Sequence, residues 1–275
     1  MSDAGSWVLV EFTTDRENAE FLSADLWARG VAAVEEIDNP DGTVTLRTSL
    51  GSGTDAAVPG LLSAHPGTTV RPVEFPREVA DTWRRYVSPT RVVGDVWLVP
   101  EWCERPPGTS IVVEPFDTFG LGNHPTTVLT LRSALGLCDA GTRVLDLGSG
   151  SGVLAVAVAL VRGSRVDAFD IAPQAVDALD HNARANGVRD LVDWQDPFDE
   201  PTARTYDVVM ANILAPVLRS LAPGIIAVTR PGGHIVLSGL RADQIGSVTE
   251  CFAGCVQTMR EEMDGWSAVT LRRNA

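Results

Sequence analysis

Val144-Leu145-Asp146-Leu147-Gly148-Ser149-Gly150-Ser151-Gly152 decides the reading of this chain: a short apolar strand carrying an acid, then glycine at every second position. Glycine allows a tight turn and a close approach of backbone to ligand. The apolar run Val153 to Val161 follows at once, so the segment reads strand, turn, helix. In the dinucleotide version, G-x-G-x-x-G, such a turn leaves the helix N-terminus open to a pyrophosphate. Here the third glycine comes one residue early and Asp146 ends the strand. A carboxylate facing the site would repel a pyrophosphate but suits the amino group of a methionine-like moiety. Asp146, Gly148, Gly150 and Gly152 therefore point to S-adenosylmethionine (SAM) as cofactor.

Outward from this loop, Val166-Asp167-Ala168-Phe169-Asp170, Val208-Val209-Met210-Ala211 and His234-Ile235-Val236-Leu237-Ser238 are further short apolar runs separated by helical periodicity. Continuous apolar strands alternating with helices predict an α/β fold, a doubly wound, mostly parallel Rossmann-like sheet covered on both faces. In such a sheet the carboxyl ends of the strands line the ligand crevice. Asp170 ends the strand after the glycine loop, where an acid either accepts hydrogen bonds from ribose hydroxyls or caps a helix. Asp196 stands either toward an adenine ring or in a simple turn. Asn212-Ile213-Leu214-Ala215 follows the fourth strand, and the Asn212 oxygen either accepts from a substrate amine or caps the next helix. An amine held that way would aim its lone pair at a sulfonium methyl.

Before the first long helix runs Phe119-Gly120-Leu121-Gly122-Asn123-His124-Pro125-Thr126-Thr127. It reads either as a loop with threonine hydroxyls capping the helix or as a lid over a cofactor cleft. His124 stands between two roles, structural residue and base. The remaining histidines are scattered and no metal spacing is present, so no metal is expected.

The N-terminal part has a different pattern. Trp7 to Phe12, a helical stretch from Asn18 to Arg29, strands at 31–37 and 43–48 around Asn39-Pro40-Asp41-Gly42, a helix from Asp55 to Ala64 and a strand at 68–73 give a β-α-β-β-α-β order. That order predicts a small α+β ferredoxin-like domain over residues 1–73. Residues 74–95 read as a linker containing the helix Asp81-Thr82-Trp83-Arg84-Arg85-Tyr86, and 96–275 as the larger domain.

At 275 residues the chain is long enough for two such domains. With 36 acidic against 22 basic residues and a net charge of −14, it lacks the positive field that broad nucleic-acid binding needs. A basic partner suits it better. Every basic residue other than histidine is Arg; the chain contains no lysine. The start Met1-Ser2-Asp3-Ala4-Gly5 is no signal peptide and no apolar run is long enough to span a bilayer, so a cytoplasmic location is expected. Cys103, Cys138, Cys251 and Cys255 are too scattered for a disulfide framework, and the last two read as reduced thiols one helical turn apart.

Taken together, Phe119 to Thr127, Val144 to Gly152, Asn212 to Ala215 and Pro231-Gly232-Gly233 to Gly239 resemble bacterial ribosomal protein methyltransferases of the PrmA type. The resemblance extends to the N-terminal unit, the Trp83-Arg84-Arg85-Tyr86 helix and the tail from Trp266 to Arg273. It implies SAM-dependent N-methylation of lysine or N-terminal amines of a large-subunit ribosomal protein. It further implies that Thr127, Gly148, Asp170 and Asn212 contact the cofactor, that Asn212 serves methyl transfer, and that the N-terminal domain recognises the protein substrate. The chain departs from the family pattern at Leu121 and Asn123 in the lid and at Ser149, where Cys is frequent. Three rivals remain: a small-molecule or peptide N-methyltransferase, a nucleic-acid amine methyltransferase, and a non-catalytic SAM-binding protein. The nucleic-acid reading wants Asn-Pro-Pro-aromatic after the fourth strand, and the chain has Asn-Ile-Leu-Ala.

Overall fold

A computed structural model describes residues 6–29, 31, 34–48, 50, 54–76, 87–115, 122–199 and 205–275. The predicted helix at 81–86 and the lid residues Phe119, Gly120 and Leu121 lie outside them. The chain divides into two compact units, Met1–Val87 and Ser88–Ala275.

In the first unit, β1 (Ser6–Thr14), α1 (Arg16–Ala28), β2 (Val34–Asp38), β3 (Val44–Thr48), α2 (Thr54–Ala64) and β4 (Thr69–Pro76) follow in sequence. The strands pair antiparallel in the order β2-β3-β1-β4, the ferredoxin-like arrangement. Val10 and Phe12 of β1, Val44 and Leu46 of β3, Leu22 and Leu26 of α1 and Leu61 of α2 form its core. On the other face Glu11 accepts hydrogen bonds from Arg47 of β3 and Arg71 of β4. The Arg71 bonds, with those from Arg47, hold the Glu11 carboxyl below the usual carboxylate range against the opposing cost of burial.

The second unit opens with a three-stranded sheet, β5 (Thr90–Val93), β6 (Val96–Pro100) and β7 (Thr109–Val113), in that spatial order. The main sheet follows: α3 (Pro125–Leu137), β8 (Arg143–Leu147), α4 (Val153–Arg162), β9 (Arg165–Phe169), α5 (Ala175–Ala185), β10 (Val192–Trp194), β11 (Tyr206–Asn212), α6 (Ala215–Val228), β12 (Thr229–Arg241), α7 (Ile245–Thr249), β13 (Cys255–Met263) and β14 (Trp266–Arg273). Its seven strands lie in the order β10-β9-β8-β11-β12-β14-β13. The first five are parallel; β14 runs antiparallel to both β12 and β13.

Alternation along each strand sends neighbours to opposite faces. Val144, Val208, Met210 and Val236 join α4 and part of α3 in one core. Leu145, Val209, Ala211, Ile235 and Leu237 join α6 and α7 in the other. The expected doubly wound sheet is present, with β8 and β11 flanking the point where strand order reverses.

Two expectations need correction. Cys251 and Cys255 do not share a helix: α7 ends at Thr249, and Cys255 opens β13 beyond the left-handed Gly254. The helix at the start of α3 is capped by His124, whose Nδ1 accepts from the Thr126 backbone, and not by a threonine hydroxyl.

Candidate active site

Three glycines with positive φ carry the loop after β8: Gly148 at 78°, Gly150 at 51° and Gly152 at 76°. At Gly148 there is also no room for a side chain, since a Cβ would stand 2.2 Å from Cγ2 of Ile213. The loop is pinned to the neighbouring strand, with Gly148 and Ser149 N–H both donating to the Phe169 carbonyl, at 2.8 and 3.1 Å. Register places Ala211 of β11 beside Leu147 of β8, so Asn212 and the glycine loop leave the sheet side by side at the switch point.

Asp170 ties the loop a second time. Its Oδ2 accepts from Gly150 N–H at 2.8 Å and its Oδ1 from Ala172 N–H at 2.9 Å. A carboxylate has about four lone-pair positions, so both oxygens keep capacity for hydroxyl donors. Ile171, which sequence patterning passed over, follows at 66% exposure, a large apolar side chain left in solvent beside that acid. An isolated exposed isoleucine carries no period, and only its position after Asp170 gives it meaning.

Asp146 is fully buried rather than open to the crevice. Its Oδ2 accepts from Ala155 N–H at 3.0 Å, satisfying one of the orphan donors in the first turn of α4, while Oδ1 has no partner. Burial, with the nearby Asp170 charge, pushes this carboxyl up to about 7 against the opposing hydrogen bond from Ala155. Ser149 Oγ, in the loop that follows, is likewise buried without a partner.

Asn212 is half-buried at the end of β11. The helix after it takes Leu214 as its N-cap with no side-chain bond, which removes the capping role for Asn212. Across the sheet Asn212 pairs in register with Ser238, whose hydroxyl donates to the carbonyls of Ser267 at 3.1 Å and Thr126 at 3.4 Å. That last contact brings the start of α3, with the buried Thr126 and Thr127, to the strand beside Asn212. Gly239, φ 81°, then lets β12 pass close to Ile213, where a Cβ would meet the Ile213 carbonyl at 2.6 Å.

His124 is committed to structure. Nδ1 accepts the Thr126 N–H at 3.3 Å and sits 2.7 Å from its Oγ1, and the ring meets Trp266 edge-on at 4.8 Å. Burial pulls its pKa down, so the imidazole stays neutral. Asp196 is a turn residue, with Oδ1 accepting from Phe198 N–H at 2.8 Å. Among the described residues no group of His, Cys, Asp and Glu is arranged to hold a metal ion.

The donor set suits SAM: an unpartnered buried acceptor in Asp146, spare acceptor capacity in Asp170, and a glycine loop at the switch point whose own geometry excludes side chains. A glycine loop after the first strand of the main parallel sheet, tied to an acid that follows the neighbouring strand, is the pattern of the SAM-dependent methyltransferases of the Rossmann-like class, and this chain is one of them. A sequence profile of that class, "Ribosomal protein L11 methyltransferase (PrmA)", matches residues 72–274. The chain is 35% identical over 268 residues to the ribosomal protein L11 methyltransferase of Serratia proteamaculans, covering 90% of this chain and 92% of the relative. Identity to the Escherichia coli protein of the same name is 33% over 291 residues, covering 98% and 99%. The crystal structure of a ribosomal protein L11 methylase from Lactobacillus delbrueckii subsp. bulgaricus superposes with a TM-score of 0.63 at 25% identity, over 69% of this chain and all of that one. The chain belongs to the ribosomal protein L11 methyltransferase (PrmA) family.

Proposed function

We propose that this enzyme transfers methyl groups from SAM to amines of ribosomal protein L11, at lysine side chains, the N-terminal amine, or both. Carrying the proposal is the placement of Asn212, freed from helix capping, beside the glycine loop at the switch point. When bound, SAM supplies an electrophilic methyl group on its sulfonium. Asp146 Oδ1 and Asp170 hold the cofactor's ammonium and ribose ends, with Gly148, Gly150 and Gly152 allowing close backbone approach and Thr127 closing the site from α3. The exposed Ile171 offers an apolar face to a flat base.

Methyl transfer needs a neutral amine, whereas a free lysine titrates near 10.4. Enclosure of the amine next to Asn212 lowers that value by desolvation, so that the ammonium gives up its proton to water before the methyl group is transferred. The Asn212 amide oxygen then accepts one amine N–H and orients the nitrogen lone pair, a contribution from positioning rather than proton abstraction. His124 is not assigned as base, because its Nδ1 is engaged in the cap.

Residues 1–73 are assigned the recognition of the protein substrate. The acidity of the chain, −14 overall, favours encounter with a basic ribosomal protein. No helix among the described residues is long and apolar enough to cross a membrane. Incubating the protein with SAM and L11 of the same organism, followed by intact-mass analysis, tests the proposal. Whole methyl increments on L11 amines are expected. Methylation confined to small molecules, or tight cofactor binding with no methylation of any amine, overturns it.

A further inference from the structure

Helix α5 carries Asn182, and Asn186, four residues on, is its C-cap. Asn182 falls on the buried stripe with Ala175, Ala178, Leu179 and Ala183 and is 1% exposed. A polar side chain on that stripe must satisfy its amide internally. It does so completely: Oδ1 accepts the Glu114 N–H at 2.9 Å, and Nδ2 donates to the Glu114 carbonyl at 2.9 Å and the Ser151 carbonyl at 2.8 Å. Asn186 repeats half of the pattern. Its Oδ1 accepts the Val112 N–H at 2.8 Å and its Nδ2 donates to the Val112 carbonyl at 2.7 Å, but the other donor turns back to the Asn182 carbonyl at 2.8 Å.

β7 is the outer strand of its three-stranded sheet, with β6 on one side only. The two amides replace a ladder partner along the other side, at alternate positions 112 and 114. Only Asn182 continues to the glycine loop, where Ser151 stands between two left-handed glycines. Glycine-rich chain has the most freedom to lose on ordering. A loop held in its binding conformation before the ligand arrives binds more tightly, since less ordering remains to be done.

We propose that Asn182 is a positioning residue of the cofactor site: it pre-organises the glycine loop by fixing the Ser151 carbonyl to the end of β7, whereas Asn186 serves the strand alone. The proposal rests on the glycine loop being the SAM site. It touches no reacting atom, so its loss raises the KM for SAM and the Kd for S-adenosylhomocysteine while kcat at saturating SAM changes little.

Asn182→Ala and Asn186→Ala form the test, because each removes the same kind of strand contact and only the first also removes the hydrogen bond to the Ser151 carbonyl. Three quantities are measured: S-adenosylhomocysteine Kd by calorimetry, the thermal midpoint, and amide hydrogen exchange over residues 149–152 without ligand. Asn182→Ala is expected to weaken binding by roughly tenfold or more and to speed exchange at 149–152. Asn186→Ala is expected to lose comparable thermal stability yet keep Kd within about twofold. Equal weakening in both variants, in step with their thermal loss, overturns the proposal, as does wild-type affinity in Asn182→Ala. If Asn182→Ala does not fold, Asn182→Ser, too short to bond Glu114 and Ser151 together, carries the same comparison against Asn186→Ser. Failure of the wild-type protein to bind S-adenosylhomocysteine would instead defeat the cofactor assignment, and the exchange comparison would still decide whether Asn182 holds the loop.

Discussion

The two ends of the seven-stranded sheet are built on opposite principles. Where the parallel strands begin, polar groups close on one another. Tyr206 Oη donates to Asp167 Oδ2 at 2.9 Å, Arg143 N–H donates to Asp207 Oδ2 at 2.7 Å, and the Arg230 guanidinium pairs with Asp207. Arg273 caps the end of α6 by donating to the carbonyls of Ile226, at 2.9 Å, and Thr229. His234 has an unpartnered Nδ1 here, and burial together with Arg272 and Arg230 keeps its ring neutral. Where the strands finish, the chain instead stores left-handed glycines and leaves Asp146 Oδ1 and Ser149 Oγ without partners. Buried polar groups are nearly always satisfied, so two open ones three residues apart, in β8 and in the glycine loop that follows it, suit a ligand there, whereas His234 Nδ1 at the opposite end stands alone. The difference separates what holds the sheet from what uses it.

Substitutions should therefore split by end. The largest effect belongs to Asn212→Ala, expected to lower kcat by roughly a hundredfold through lost orientation of the amine. Its thermal midpoint should stay near wild type and its S-adenosylhomocysteine Kd should rise by much less than kcat falls; steady-state kinetics, calorimetry and thermal unfolding check these. Gly148→Ala comes next. A residue with a Cβ would hold φ 78° at a cost and press on Ile213, so about 1–3 kcal/mol of stability and most cofactor affinity should go together. Denaturant unfolding and cofactor titration read the two losses.

Tyr206→Phe probes the opposite end and should do the reverse. It deletes one buried hydrogen bond to a charged acceptor, lowering unfolding stability by about 1–2 kcal/mol, with cofactor Kd and kcat unchanged. A change in either kinetic constant would show that the ends are coupled and would break the comparison.

How far this division was legible in sequence follows from the same physics. Parallel strands buried on both faces are continuous apolar runs, so β8, β9, β11 and β12 stand out, and glycine at alternate positions marks the loop between β8 and α4. The edge strand β13 did not stand out. Its residues are mostly exposed and follow neither a strand nor a helix period, which is why Cys251 and Cys255 read as helical neighbours. The place of Asp146 was legible but not its burial, because a strand-ending acid that caps the following helix and one that faces a ligand have the same local sequence. Asn182 gave its signal only as a polar residue on an alanine-rich stripe. Its partners lie 31 and 68 positions away, at Ser151 and Glu114, and pairing at such range is set by topology rather than by spacing.

The smallest expected effect tests Asp146 itself, through pH. Burial raises this carboxyl from 3.8 to about 7, so in the unliganded protein the folded state binds a proton that the unfolded state releases. Between those values stability falls as pH rises; the contribution of the protonated form is fully present below the unfolded pKa and is lost as pH passes the folded one. Cofactor binding has the opposite sign. A cationic amino group at Oδ1 favours the ionised carboxylate, so binding expels the proton and affinity rises with pH until the carboxyl is already ionised. If only the ionised form binds, affinity at pH 6.5 should be about fourfold weaker than at pH 8. Calorimetry in buffers of different ionisation enthalpy should register proton release at the lower pH. Asp146→Asn should remove both the pH dependence and the proton release, and proton release that survives that substitution would assign the linkage to a different group and leave Oδ1 without its ligand.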